Sequence, residues 1–297
     1  MKLFARAPGK VNLSLFVGSR RSDGRHELIT LIESVSLADE LELVTRVALD
    51  DEVVCPGVEE PNIVSRALAG LRDRGWEAPR VEVTIRKHIP IAAGMGGGSA
   101  DAAAVLRMAA RLARIDGSVL EQLAAELGSD VPSQLAPGLV LGTGAGDDVE
   151  PRAELAPHAF VIVPLPHRLS TASVYAEADR LGVGDDELEF AARLPDLWSA
   201  LSPGQRLPDR LLVNDLEPVA MSLCPDIEPA LAAVREAGPD HSFVSGSGPT
   251  VAGLFWDVSG GEGRARAQAA AAALAPRYPG ACCAVPVSRD FGFPLFV

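Results

Sequence analysis

Apolar and polar residues alternate through Val81-Glu82-Val83-Thr84-Ile85-Arg86, which predicts a β-strand. Over residues 99–114 the period changes. Ala, Leu and Met dominate with no Pro or Gly, which predicts a helix. Between the two stand Gly94, Gly96, Gly97 and Gly98, so a glycine loop opens onto a helix N-terminus. Residues 3–17 predict a strand, a break at Pro8-Gly9, and an alternating strand with Val11, Leu13 and Leu15 on one face and Asn12, Ser14 and Phe16 on the other. Residues 20–26 read as a polar turn and 27–45 as a further strand pair. Helices are predicted over 62–74, where Ile63, Ala67 and Leu71 keep helical spacing, and over 119–127, with a new element from Pro132.

Residues 138–146 predict strand and turn, and the acidic, Pro-bearing stretch 147–158 marks a domain seam. Beyond it come a buried strand from Phe160, a helix from about residue 170 to Leu181, a loop-rich 182–210, a helix over 229–237, a strand–turn–strand over 241–255, an Ala-rich helix over 264–274 and a final strand over 282–288. Strands and helices mix without strict alternation. The expectation is an α+β fold in two domains, 1–152 and 153–297.

Bulk properties narrow the function. The chain has 297 residues, 47% apolar and 23% charged, ordinary for a globular protein. A net charge of −13 argues against nucleic-acid or anionic-membrane partners. No apolar run reaches a bilayer span and residues 1–20 lack a signal-peptide core, so a cytoplasmic protein is expected. Cys55, Cys224, Cys282 and Cys283 lack metal-ligand spacing and read as reduced thiols, and the scattered histidines predict no zinc site. Against 24 Arg there are three Lys, namely Lys2, Lys10 and Lys87. Lysine kept at Lys10, beside the Pro8-Gly9 break, suggests a compact point charge reaching a cleft.

The central loop suits phosphate oxygens. Glycines let backbone approach a ligand, and the first helical turn offers unpaired N–H groups and the positive end of the dipole. It is not a Walker loop, since no Lys-Ser/Thr follows the last glycine, and it is a poor dinucleotide fingerprint. Without a ligand, Ser99 would simply be the N-cap, Asp130 the cap of the element at Pro132, and Asn62 a helix cap. Asp101, in the first turn, complements the dipole or bears on a metal.

Three glycine segments, Pro8-Gly9-Lys10-Val11-Asn12, the loop 94–99 and Ser245-Gly246-Ser247-Gly248-Pro249, resemble the GHMP kinase superfamily. Together with Asp23-Gly24-Arg25-His26-Glu27-Leu28, Gly128-Ser129-Asp130-Val131-Pro132 and Asn214-Asp215-Leu216-Glu217-Pro218, they are similar to its 4-diphosphocytidyl-2-C-methyl-D-erythritol kinase family over nearly the whole chain.

That resemblance implies two α+β domains with the active site between them, ATP and Mg²⁺, and phosphorylation of the 2-hydroxyl of a cytidyl-diphosphate alcohol in the non-mevalonate isoprenoid route. It implies Asp130 as base or orienting group and Lys10 as the cation that stabilises developing charge and keeps Asp130 ionised. Gly94, Gly96, Gly97, Gly98 and Ser99 would hold the phosphates, Ser99 would help place the metal, and Asn62 would lie on the adenine side. Asn12, His26, Tyr175, Gly246 and Gly248 would meet the acceptor. Arg25 stands where an aromatic stacker is common, and its guanidinium plane can stack in its place. Gly9 replaces a common Ala.

Two other readings compete. Arg25 keeps open a GHMP kinase with another alcohol acceptor, which turnover of homoserine or mevalonate would reveal. A non-catalytic nucleotide-dependent regulator would bind ATP without turnover, and the paired Lys10 and Asp130 argue against it. A monomer or homodimer is expected.

Overall fold

The computed structural model describes residues 1–58, 61–184, 186–258 and 260–297. The first half builds β1 (Lys2–Arg20), β2 (His26–Arg46), β3 (Glu52–Val54), α1 (Ile63–Asp73), β4 (Arg80–Arg86), α2 (Gly97–Leu112), α3 (Gly117–Leu127), α4 (Val131–Leu135), β5 (Leu139–Thr143) and β6 (Asp148–Pro151). The second builds β7 (His158–Val163), α5 (Thr171–Leu181), α6 (Glu187–Ala200), α7 (Glu217–Leu223), α8 (Ile227–Glu236), β8 (His241–Val244), β9 (Val251–Trp256), α9 (Glu262–Leu274), β10 (Cys282–Ala284) and β11 (Leu295–Phe296).

One sheet runs in the order β11-β1-β2-β4-β3, with β5 pairing β2 and β6 pairing β5. The other runs β10-β7-β9-β8 and is antiparallel throughout. The mixed architecture agrees with the expected α+β class.

Several local expectations need correction. Pro8-Gly9 does not break the first strand. β1 continues through it, and the register against β2 shifts between Pro8 and Gly9, a bulge in place of a turn. Residues 27–45 are likewise one long strand. Pairing along the full length of β1 outweighs the local Pro-Gly signal. Residues 182–210 are not mainly loop. α6 is capped by Asp186, which accepts from the Leu188 and Glu189 amides, and it tolerates Pro195 inside it. α7 was also unforeseen, and 282–288 is not the last strand, because β11 returns to pair with β1.

Among the described residues, four apolar clusters hold the fold together. One lies between the first sheet and α1, α2 and α3, with Leu41, Leu43, Leu68, Val83 and Leu106 fully or nearly fully buried. A second joins the two sheets, with Phe16 and Leu31 of the first packed among Phe160 and Leu254 of the second. A third covers the outer face of the second sheet with α7, α8 and α9. The fourth packs α5 and α7 onto β1 through Leu15, Val17, Val174 and Val219. This explains why β1 is buried on both faces from Ala7 to Val17 and why its polar residues there must find partners. Among the described residues no helix is long and apolar enough to cross a membrane.

A buried ion pair also crosses between the sheets. His158 Nδ1 lies 2.7 Å from the Ala156 carbonyl and therefore donates to it, while Nε2 lies 2.7 Å from Glu33 Oε2. Burial opposes a charged ring, but the Glu33 carboxylate outweighs it and holds His158 above its ordinary value of 6.5. The sign follows. The folded state binds the proton more tightly, so the stabilisation is complete below 6.5 and is lost as pH rises through the higher folded value. Urea midpoints from about pH 6 to about pH 9 should fall by the equivalent of about 1–2 kcal/mol, and His158→Gln should flatten that slope. An equally steep slope in the variant would assign the effect elsewhere.

Candidate active site

The glycine loop is built as the sequence suggests, with one shift of register. Gly96 is the N-cap of α2, in the left-handed region at φ 65°. Ser99 is therefore not the cap but the third helical residue, and the N–H groups of Gly97, Gly98 and Ser99 have no carbonyl one turn back to bond. Gly94 must be glycine, since a Cβ there would stand 2.6 Å from the Gly248 carbonyl oxygen and 2.7 Å from that of Ser245. The loop is tied to its neighbours by Lys10 N–H donating to the Met95 carbonyl (3.0 Å) and Thr250 N–H donating to that of Ala93 (3.3 Å).

Two cavities meet beside this loop. The first, about 410 Å³, is lined by the expected Lys10, Asn62, Gly94, Gly96, Gly97, Gly98, Ser99 and Asp130. It also has an apolar lining, with Val58, Ile63, Val64 and Ile85. The second, about 460 Å³, is lined by Lys10, Asn12, Arg25, His26, Asp130, Tyr175 and Gly246. Lys10, Asp130, Thr171 and Ser247 line both. Gly248 lines neither. It is turned into α7 and α8, where a Cβ would meet Val244, Ala220 and Ile227, and it acts as a turn residue behind Gly94.

At the junction, Lys10 Nζ donates to Asn12 Oδ1 (2.6 Å) and lies 3.7 Å from Asp130 Oδ2. Asn12 in turn donates to Thr30 Oγ1 (2.8 Å), so the lysine sits on a chain of fixed partners. Lys10 is 4% exposed. Asp130 occupies the N-cap position of α4 but makes no side-chain cap hydrogen bond. The capping alternative is thereby corrected, and its carboxylate is left to the cavities. Asn62 does cap, accepting from the Val64 and Ser65 amides at 2.9 and 3.0 Å, and it also lines the first cavity.

On the acceptor side, Arg25 is clamped. It donates to Asp147 (2.8 Å) and to Asp23 (3.0 Å). His26 stacks on Tyr175, with centroids 5.2 Å apart and planes at 18°. Burial first, and the Asp130 charge second, push the Tyr175 phenol up. Asn214 secures the third glycine segment by donating to the Val244 and Gly246 carbonyls at 2.7 and 2.8 Å.

Sequence reasoning missed one cluster. Lys87, on the first cavity, bonds Asp39 and, at 2.7 Å, Asp101. Asp39 is fully buried and also accepts from the Ile89 amide at 2.8 Å. Asp101 is thus an ion-pair partner and no simple dipole complement. Burial raises its carboxyl to about 7 against the pull of Lys87. Burial opposes the Lys87 charge, and Asp101 and Asp39 together outweigh it and raise that group. The rarity of lysine was the one available signal. Ser247, at the junction, lies in the third glycine segment but was not singled out, and Thr171 had no signal.

Comparison with known proteins identifies the family. Residues 62–138 match the GHMP kinases N terminal domain and 199–280 the GHMP kinases C terminal domain. The 4-diphosphocytidyl-2-C-methyl-D-erythritol kinase of Mycolicibacterium gilvum is 42% identical over 84% of this chain and 80% of its own length. That of Streptomyces avermitilis is 39% identical over 90% and 92%. A crystal structure of 4-(cytidine 5'-diphospho)-2C-methyl-D-erythritol kinase superposes with a TM-score of 0.77 at 32% identity, covering 95% of this chain and 98% of that one. The chain belongs to the GHMP kinases and, within them, to the 4-diphosphocytidyl-2-C-methyl-D-erythritol kinase family.

Proposed function

We propose that this kinase transfers the γ-phosphoryl group of ATP to the 2-hydroxyl of 4-diphosphocytidyl-2-C-methyl-D-erythritol, with the nucleotide in the first cavity and the acceptor in the second. The observation that carries this is the junction, where Lys10 and Asp130 line both cavities 3.7 Å from each other and next to the glycine loop. The division at 152/153 belongs to the same reading, with ATP held mainly by the first part.

Phosphoryl transfer passes through a loose transition state, so positioning and charge dominate. The free amides of Gly97, Gly98 and Ser99 face where phosphate oxygens would lie, and the apolar wall fits a purine. Lys10 stabilises charge on the transferring group, and Asp130 orients the hydroxyl and accepts its proton. Among the described residues there is no group of three His, Cys, Asp or Glu that could hold a metal. Ser99 lines the first cavity, where its hydroxyl would serve as a protein ligand to a Mg²⁺ carried chiefly by phosphates and water. Bound there, it would neutralise β- and γ-phosphate charge.

The test is ADP release by the pure protein with ATP, with and without the cytidyl-diphosphate alcohol, beside homoserine and mevalonate. Release only with the cytidyl compound is expected, and turnover of either simpler alcohol instead would overturn the choice of acceptor. Arg25→Ala should raise the KM for the cytidyl acceptor about tenfold and that for ATP less than about twofold. An unchanged acceptor KM would show that the clamped guanidinium does not meet the base.

A further inference from the structure

An apolar sheet edge stands uncovered on the side away from the glycine loop. β11 ends the first sheet and pairs with β1 on one side only. Leu295 stands opposite Phe4 and Phe296 opposite Leu3, so the two side chains take opposite faces of the sheet. On one face Leu295, Phe4, Arg6 and Phe291 line a cavity of about 480 Å³ that Phe293 also borders. On the other, Arg111 from the last turn of α2 lies over the rings of Phe293 and Phe296. Phe293, Leu295 and Phe296 are 52%, 57% and 49% exposed. Three large side chains left half-exposed amount to about 300–400 Å² of apolar surface, the size at which a patch marks an interaction site.

The edge is held in place by its inner contacts. Arg107 Nε donates to the Gly292 carbonyl (3.1 Å), and the Val297 N–H donates to that of Lys2 (3.1 Å). Successive N–H groups along a strand alternate in direction, so the Phe296 N–H points away from β1 into the open edge. Pro294 has no N–H, which keeps the open ladder short and leaves most of the contact to side chains. Arg111 and Asp290 have no ion-pair partner among the described residues.

We propose that a second copy of this chain covers the edge, with the two β11 strands antiparallel about a two-fold axis and the two first sheets joined into one. Self-complementarity and charge choose this occupant. A strand antiparallel to its own copy meets the same patch on its partner, so the apolar side chains on both faces are buried against their equivalents. The same arrangement runs the Asp290 end of one segment beside the Phe296 end of the other, where Arg111 stands. Two unpaired charges in each copy are thereby matched across the axis. None of these residues lines either active-site cavity, so association leaves the two cavities open. The small apolar area makes the dimer a weak one, with a dissociation constant of about 1–100 µM.

Sedimentation velocity of the full chain from about 1 to 300 µM tests this. The mass should rise from 31.1 kDa towards twice that value. Leu295→Asp should remain at 31.1 kDa throughout, with the kcat and urea midpoint of the wild type. Asp290→Arg and Arg111→Glu should each weaken association about tenfold, since each contact occurs twice in a symmetric pair, and the double variant should recover it. A wild type that stays monomeric over the whole range would overturn the proposal, and so would a dimer indifferent to Leu295→Asp. Loss of the dimer in Leu295→Asp without recovery in the double charge swap would overturn the antiparallel arrangement.

Discussion

Asp130→Ala should lower kcat by about 10²–10⁴-fold while leaving ATP affinity within about twofold. The carboxylate belongs to a residue that lines both cavities, makes no cap bond to α4, and has Lys10 Nζ 3.7 Å away. Its loss should therefore touch neither the helix nor the phosphate amides. Asp130→Asn sharpens the point, since it keeps the shape and hydrogen-bonding reach but cannot take the proton. Orientation alone would leave Asn well above Ala, whereas proton acceptance would leave both equally slow. A near-normal rate in either variant, with ATP saturating, would remove Asp130 from the chemistry.

Lys87→Met should destabilise the fold by about 3–5 kcal/mol. It strands two carboxylates, Asp39 at 0% and Asp101 at 5% side-chain exposure, with no cation between them. Adding Asp101→Asn should recover part of the loss, because one uncompensated charge is gone. The deficit should also shrink on acidification. Burial already holds Asp101 at about 7 with Lys87 in place, and removing the cation raises it further, so falling pH neutralises the stranded acid first. Urea denaturation of the single and double variants at two pH values measures all of this. Equal stability of Lys87→Met and wild type would show that the cluster is not held by charge.

What could be read from the chain was local in sequence. The loop 94–99 announces itself through four glycines before a helix, and Lys10 and Asn12 lie two residues apart on a strand that alternates. The remainder depends on contacts distant in sequence. Asp39 sits 48 residues before Lys87, Asp179 lies 153 residues after His26, and Asp147 lies 122 after Arg25. No pattern of spacing marks such partners. Pro8-Gly9 reads as a turn by propensity and becomes a bulge because β1 is paired along its length and packed on both faces. α6 was hidden by Pro195, and its Phe190 fits because Gly18 leaves room. A Cβ there would stand 2.9 Å from the ring.

The central claim concerns a meeting of two ligands, and a crystal structure with a non-hydrolysable ATP analogue and the cytidyl-diphosphate alcohol tests it most directly. The account predicts the terminal phosphate against the amides of residues 97–99 and the Lys10 ammonium, with the acceptor 2-hydroxyl within hydrogen-bonding reach of Asp130 and about 3–4 Å from the γ-phosphorus. A triphosphate bound away from the glycine loop, or an acceptor hydroxyl turned away from Asp130 with both ligands in place, would contradict it.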